Sequence, residues 1–187
     1  PQPLRCVGIV TPWNYPIYLA IGPLTAAFAA GNRALVKMSE FTPSTATVLA
    51  ELARRYFTAD ELAIVEGDMA VAEAFTRLPF DHLLFTGSTA VGRHVMRAAA
   101  DNLTPVTLEL GGKSPAIIAP DYPLEKAAAR ILTGKCLNAG QTCIAPDYVF
   151  VPAGKEEAFC EAARRIVAKS YPEIVRNSDY TSIVNER

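Results

Sequence analysis

An excess of charge of one sign is absent from this chain. Its 187 residues carry 18 Lys and Arg against 19 Asp and Glu, a formal net charge of -1. That balance leaves no electrostatic footprint for nucleic acid or an acidic membrane surface. Long apolar runs are absent as well. The longest, Ile17 to Ala30, is interrupted by Gly22, Pro23 and Thr25 and falls short of the ~18–20 residues a bilayer span requires. The 11 Gly and 14 Pro are too few and too irregular for a collagen-like chain, and 50% hydrophobic against 20% charged residues is too apolar for disorder. There are only four Cys and two His. No Cys pair has C-x2-C spacing, and His82 and His94 form no ligand motif, so no metal site is expected. Four Cys do not make a disulfide scaffold, and reduced thiols in a cytoplasmic protein are the expectation. The chain opens Pro1-Gln2-Pro3, without Met or a basic-then-apolar leader. It is therefore expected to be an internal piece of a longer chain with no secretory signal.

What the sequence does contain is an alternation of short apolar runs and amphipathic stretches. Length over ~150 residues per domain allows one domain or two small ones. Cys6–Val10, Ala34–Lys37, Leu62–Val65, His82–Thr86, Val106–Leu110, Pro115–Ala119 and Tyr148–Val151 read as strands. Pro16 to Gly31 reads as a buried helix. Thr42-Pro43 starts another, with Thr42 as N-cap and an apolar face of Val48, Leu49, Leu52 and Tyr56. Ala70–Phe75 is a short helix. Gly87-Ser88 turns into a helix bearing Val91, Val95, Met96 and Ala99. Leu124–Leu137 is a helix ended by Asn138-Ala139-Gly140, and Lys155–Lys169 is amphipathic through Phe159, Ala163, Ile166 and Val167. Strand–helix alternation with continuous apolar strands predicts an α/β fold with a doubly wound, mostly parallel sheet. In such sheets ligands sit beyond the carboxyl ends of the strands, so the turns after Val10, Lys37, Thr86 and Leu110 are the places to inspect.

After the first strand, T-P-W-N-Y-P holds Asn14 between two prolines. A rigidly held carboxamide can donate to a developing oxyanion; the plainer alternative is a turn Asn. After the second, Lys37 and Glu40 could donate to and accept from ribose hydroxyls, the carboxylate disfavouring a 2′-phosphate; the alternative is a solvated ion pair. After the fourth, F-T-G-S-T-A-V-G carries Gly87, which permits close backbone approach, and Ser88 at a helix N-terminus suited to an anion such as a pyrophosphate. G-x-G-x-x-G is absent. Arg93 and His94 replace the Lys and Ser/Thr of a P-loop, which argues against an ATPase. A plain strand–turn–helix corner is the alternative. After the fifth, Glu109 lies in an otherwise apolar strand, where partial burial would raise its pKa toward that of a general base; a strand-end ion pair is the alternative. Cys143, in N-A-G-Q-T-C, follows a glycine turn among small polar residues, which suits an accessible nucleophile. Cys6, Cys136 and Cys160 fit the commoner role of a buried small hydrophobe.

P-W-N-Y-P, K-M-S-E-F-T-P, F-T-G-S-T-A-V-G, L-E-L-G-G-K-S-P and N-A-G-Q-T-C, in that order, resemble the aldehyde dehydrogenase superfamily over essentially the whole chain. The interval from Glu109 to Cys143 matches as well. The wording L-T-P-V-T-L-E-L-G-G-K-S-P and G-Q-T-C-I-A-P-D-Y resembles the class-3-like branch and, within it, coniferyl aldehyde dehydrogenases, and the Asp179-Tyr180 tail fits that branch. The resemblance implies Cys143 as nucleophile, Glu109 as the base that activates water, and Asn14 with the Cys143 backbone N–H as the oxyanion hole. It implies NAD as cofactor, with NADP possible. Lys37 and Glu40 would lie on the adenosine ribose; Gly87, Ser88, Val91 and Gly92 along the pyrophosphate and adenine; Thr11 and Trp13 near the cofactor; and the Leu110 carbonyl on the nicotinamide amide. Residues 1–110 would belong to a Rossmann-like nucleotide-binding half and 111–187 to the start of a second α/β, catalytic domain, with the boundary near Gly111. The partner is a small aldehyde, and the full-length form would be a homodimer. Alone, the chain is expected to be an incomplete and inactive fragment. Two rival readings are a cofactor-free thiol hydrolase or acyltransferase using Cys143, Glu109 and Asn14, and a non-catalytic remnant.

Overall fold

Cys6–Val10 is apolar and short, and in the computed structural model, which describes residues 2–186, it forms the central strand, β1. Arg33–Lys37 (β2), Leu62–Val65 (β3), His82–Gly87 (β4) and Val106–Leu110 (β5) join it in a parallel sheet of order β3-β2-β1-β4-β5. Pro16–Ala29 (α1), Pro43–Tyr56 (α2), Met69–Thr76 (α3) and Thr89–Ala100 (α4) connect the strands. One core cluster puts Val7, Ile9, Val36 and Leu62 against Ala20, Leu24 and Ala27 of α1 and Ala46 and Ala53 of α2. A second puts Leu83 and Phe85 against Phe75 of α3 and Val95 and Ala99 of α4. Covered on both faces, the sheet is doubly wound, as the alternation predicts. Ile9, Val36 and Leu83 are fully buried, and each such side chain contributes roughly 1.5–3 kcal/mol of apolar burial. Gly8 makes room on β1: a Cβ there would lie 2.6 Å from the Phe80 ring and 2.8 Å from Leu83.

The chain separates into two compact units, one running to Leu110 and one from Gly111 onward. The second unit is a βαβ crossover. Ser114–Ile117 (β6) pairs in parallel with Pro146–Phe150 (β7), with Leu124–Cys136 (α5) between them, and Glu156–Ser170 (α6) packs on α5. Ala127 and Ala128 of α5 and Ala162 of α6 are buried. The expected apolar positions Phe159, Ala163, Ile166 and Val167 flank that contact half-buried.

Several expectations about packing are corrected. Helix α1 is not buried all round, since Ala20, Leu24 and Ala27 face the sheet while Ile17, Tyr18 and Ile21 are exposed. In α2 the sheet-facing stripe is Ala46, Ala50 and Ala53, and Val48, Leu52 and Tyr56 are exposed. Small residues let the helix backbone approach the strands closely, so they take the contact face despite their lower hydrophobicity. In α4, Val95 and Ala99 are buried but Val91 and Met96 are not. Thr42 holds the N-cap position of α2 without capping it, because its hydroxyl donates to the Ser39 carbonyl at 3.3 Å. Cys160 is exposed on α6, whereas Cys6 and Cys136 are half-buried. No helix of the described residues is long and apolar enough to cross a membrane.

Candidate active site

In the first unit, the strand order reverses direction between β1 and β4, which makes their carboxyl ends a topological switch point and the place where a parallel sheet opens a crevice. Register brings the candidate residues to that edge. Val10 stands opposite Lys37 on one side and Phe85 on the other, and strands lie ~4.8 Å apart. The turns that follow these residues therefore share one rim. Thr11 ties it together. Its N–H donates to the Lys37 carbonyl at 3.0 Å, and its hydroxyl reaches the same oxygen at 3.4 Å and Met38 Sδ at 3.5 Å. Trp13 and Asn14 follow, half-buried. Asn14 Oδ1 accepts from the Tyr15 N–H at 3.1 Å. The oxygen end of the carboxamide is thus held on the backbone of the next residue, and its N–H end is the end able to donate. Asn14 also lines an open apolar hollow of about 570 Å³ with Tyr15, Ile17, Tyr18 and Ile21.

Lys37 is only 1% exposed, so the solvated-pair alternative fails. Its Nζ donates to the carbonyls of Met38 (2.6 Å) and Gly67 (2.9 Å). Burial pushes its pKa below the usual 10.5, opposed by the charges of Glu40 and Asp68. Glu40 itself is exposed. An ammonium can donate three hydrogen bonds, and two of those seen here go to the protein itself.

The β4–α4 corner has a single residue between strand and helix. Ser88 is the N-cap, its Oγ accepting from the Val91 N–H at 3.3 Å. A corner this short has no loop to wrap around phosphates, which removes the P-loop alternative. It does present a helix N-terminus of the kind that attracts anions, with Val91 49% exposed on the first turn. Gly87 is required for space: a Cβ would lie 2.5 Å from Phe85 Cζ. Gly92 is buried on the sheet side of α4, where a Cβ would lie 2.9 Å from Leu110 Cδ2. Its visible role is close helix–strand approach. Glu109 pairs in register with Thr86 and Leu110 with Gly87. Leu110 is half-buried, but Glu109 is exposed. The expectation of a partly buried carboxyl is corrected, because β5 is the last strand of this sheet and its side chains have neighbours on one side only.

In the second unit, Cys143 lies between α5 and β7 and is exposed, the accessibility a nucleophile needs. The approach to it is unusual. A 3-10 turn at Leu137–Gly140 contains Asn138 (φ 51), Ala139 (φ 54) and Gly140 (φ 77) in the left-handed region. Gly and Asn tolerate this conformation; for Ala it costs about 1–2 kcal/mol. The Cys143 carbonyl oxygen would lie 3.8 Å from a Cβ on Gly112, so the glycine pair after β5 and the thiol turn are neighbours within this unit. Gln141, quoted in the motif without a role, proves to bond through both ends of its side chain, to Asn138, Ser182 and Val184. Its signal in the sequence is a long carboxamide immediately after Asn-Ala-Gly. Among the described residues no group of three or more His, Cys, Asp or Glu is placed to hold a metal ion.

The aldehyde dehydrogenase family model matches residues 1–186. The chain belongs to the aldehyde dehydrogenase family. A probable coniferyl aldehyde dehydrogenase of Pseudomonas aeruginosa is 59% identical over 186 residues, an alignment that spans 100% of this chain and 39% of that relative. Among solved structures, the substrate-bound state of Staphylococcus aureus AldH superposes with a TM-score of 0.91 at 42% identity, covering 98% of this chain and 40% of that one. A Mycobacterium tuberculosis aldehyde dehydrogenase complexed with NAD+ superposes with a TM-score of 0.81 at 38% identity, covering 89% and 35%. The chain therefore spans about two fifths of the length of the relatives it matches. The fold of the first unit is accordingly Rossmann-like.

Proposed function

We propose that this chain is part of a longer NAD(P)-dependent aldehyde dehydrogenase that oxidises an aromatic, coniferyl-type aldehyde to its carboxylic acid. The observation that carries the reading is the register that sets Val10, Lys37 and Phe85 side by side, so that Asn14, the Lys37–Glu40 turn and the Ser88-capped helix end share one sheet edge. Family membership and a relative named for coniferyl aldehyde support the substrate class, and the aromatic, apolar hollow beside Asn14 suits a flat substrate body.

The residues present fit a dinucleotide. Glu40 is exposed and can accept from ribose hydroxyls, with Lys37 beside it, and the α4 N-terminus with Gly87, Ser88 and Val91 can receive the pyrophosphate region. Thr11 and Trp13 would border the cofactor, and the Leu110 carbonyl would accept from its carboxamide. A bound nicotinamide supplies the hydride acceptor that oxidation of an aldehyde requires. The Cys143 thiolate adds to the aldehyde carbon, and Asn14 Nδ2–H with the Cys143 backbone N–H holds the resulting oxyanion, each such donor being worth roughly 2.7–4 kcal/mol in the transition state. Glu109 takes a proton from the water that hydrolyses the Cys143 thioester, releasing the acid and restoring the thiol. On this reading the first unit is the nucleotide-binding half and the second opens the catalytic half, of a homodimer in a reducing compartment where four unpaired thiols persist.

The test is a panel of cinnamyl-type, benzaldehyde-type and aliphatic aldehydes with NAD+ and NADP+, given to the complete open reading frame. Reduced nicotinamide should accumulate fastest with the cinnamyl-type substrates, and replacing Cys143 should abolish it. Thioester hydrolysis without any nicotinamide binding would instead favour the thiol hydrolase.

A further inference from the structure

Gln141 commits both ends of its carboxamide to backbone. Its Nε2 donates to the carbonyls of Asn138 (3.0 Å) and Ser182 (3.2 Å), and its Oε1 accepts from the Val184 N–H (3.0 Å). Its own N–H also donates to the Asn138 carbonyl at 3.0 Å, and Asn138 Nδ2 returns a bond to the Gln141 carbonyl at 3.3 Å. Two of the side-chain bonds therefore reach 41 and 43 residues along the chain, to a segment without regular structure. The remainder close a local ring around Asn138, Ala139 and Gly140, all of which have left-handed backbone. Consecutive left-handed residues that include an alanine persist only when their surroundings over-determine them. Gln141 links that turn to residues 182–184.

We propose that Gln141 is a positioning residue for Cys143. It clamps residues 182–184 onto the turn, holds the left-handed run, and so sets the direction in which the Cys143 sulfur and backbone N–H face a carbonyl carbon. Gln141 touches no reacting atom; it acts through the backbone two residues ahead of the thiol. The inference rests on the proposed thiol chemistry for its effect on turnover, but the clamp itself is a matter of hydrogen bonds. Both ends can be removed separately. Gln141→Ala deletes the carboxamide, Val184→Pro deletes the distant N–H without touching the turn, and Gln141→Glu keeps the acceptor while losing both donors.

In the complete protein three quantities are to be measured for these variants and for the Gln141→Ala/Val184→Pro double. They are kcat and KM after active-site titration, the rate of Cys143 alkylation by iodoacetamide across pH, and amide hydrogen exchange over residues 182–186. Misplacing a reacting group by about 1 Å costs about 100-fold, so each single variant should lose about 10- to 100-fold in kcat with little change in KM. Cys143 alkylation should slow across the pH range while exposed Cys160 alkylates as before, and exchange over 182–186 should quicken. The double variant should be no slower than the worse single, because both remove one contact. Val184→Pro and Gln141→Glu decide the matter if Gln141→Ala does not fold. The proposal is overturned if exchange quickens while kcat and Cys143 alkylation stay as in the wild type, or if the single losses multiply in the double. Absence of nicotinamide-dependent turnover in the wild type would instead overturn the proposed function, and alkylation and exchange would still judge the clamp.

Discussion

Lys37 Nζ and the Gly67 carbonyl are 2.9 Å apart, so the last residue of β2 is bonded to the turn that follows β3. A charged side chain so deeply covered is retained only with partners, and Met38 O is the second. Lys37→Met keeps the stem but leaves both carbonyls without this donor, and should cost about 1–3 kcal/mol by urea unfolding at neutral pH. The folded pKa of Lys37 is lowered by burial, so between that value and 10.5 the unfolded chain binds more protons than the folded one. Stability from this group therefore rises with pH through that window. The wild-type advantage over Lys37→Met should widen as pH approaches 10.5; a constant or shrinking gap would contradict it.

The glycines packed at the sheet, Gly8 in β1 and Gly92 in α4, separate into two kinds of constraint. At Gly8 a Cβ meets the Phe80 ring at 2.6 and 2.7 Å and Leu83 at 2.8 Å, all in a packed core, so Gly8→Ala should lose roughly 1–3 kcal/mol through overpacking. At Gly92 the nearest atom is the terminal Cδ2 of Leu110 at 2.9 Å, which a small rotation moves aside, and alanine gains about 1 kcal/mol of helix propensity. Gly92→Ala should therefore lie within about 1 kcal/mol of the wild type. Thermal unfolding of both variants checks the contrast.

Strands such as Cys6–Val10 and Leu62–Val65 were legible as continuous apolar runs, the reading for a sheet covered on both faces, and their alternation with helices set the fold class. The faces of α1 and α2 were not, since hydrophobic periodicity ranks Leu52 and Tyr56 above Ala46 and Ala50, while close packing on a sheet selects for small size. Glu109 was read as half-buried from its apolar neighbours in sequence. Its exposure depends on β5 standing last in the sheet, which is a property of strand order. Gln141 was legible as part of a motif but not as a clamp, because its partners at Ser182 and Val184 lie in a tail with weak patterning. Cys160 was read as a buried small hydrophobe, the commoner role of a free thiol on a helix, and turns out to be exposed.

On the proposed reading, Ser88 would join local stability to ligand binding in one side chain. Its Oγ accepts from Val91 N–H at 3.3 Å, so Ser88→Ala should cost about 0.5–2 kcal/mol of stability through the lost cap. If the α4 N-terminus receives the pyrophosphate, the same variant should also weaken NAD+ binding in the complete protein. Ser88→Asp separates the two effects: it caps as well as Ser but places a carboxylate against the phosphates. Its stability should stay near that of the wild type while NAD+ affinity, measured by calorimetry, falls further than in Ser88→Ala.

Cys143 and Cys160 are both exposed, and Cys6 and Cys136 are half-buried. Accessibility alone therefore predicts that a thiol reagent marks two residues, and it does not distinguish the nucleophile from a bystander. Reactivity does, because alkylation tracks thiolate character as well as access. In the complete protein Cys143 should label before Cys160, and a saturating aldehyde should protect Cys143 while leaving Cys160 unchanged. Cys143→Ser should lose at least about 10³-fold in kcat, since the hydroxyl is a far weaker nucleophile without an adjacent base, whereas Cys160→Ser should retain wild-type turnover. Peptide mapping after timed labelling gives the order. If Cys160 labels first and aldehyde protects neither thiol, Cys143 is not the residue that attacks the carbonyl.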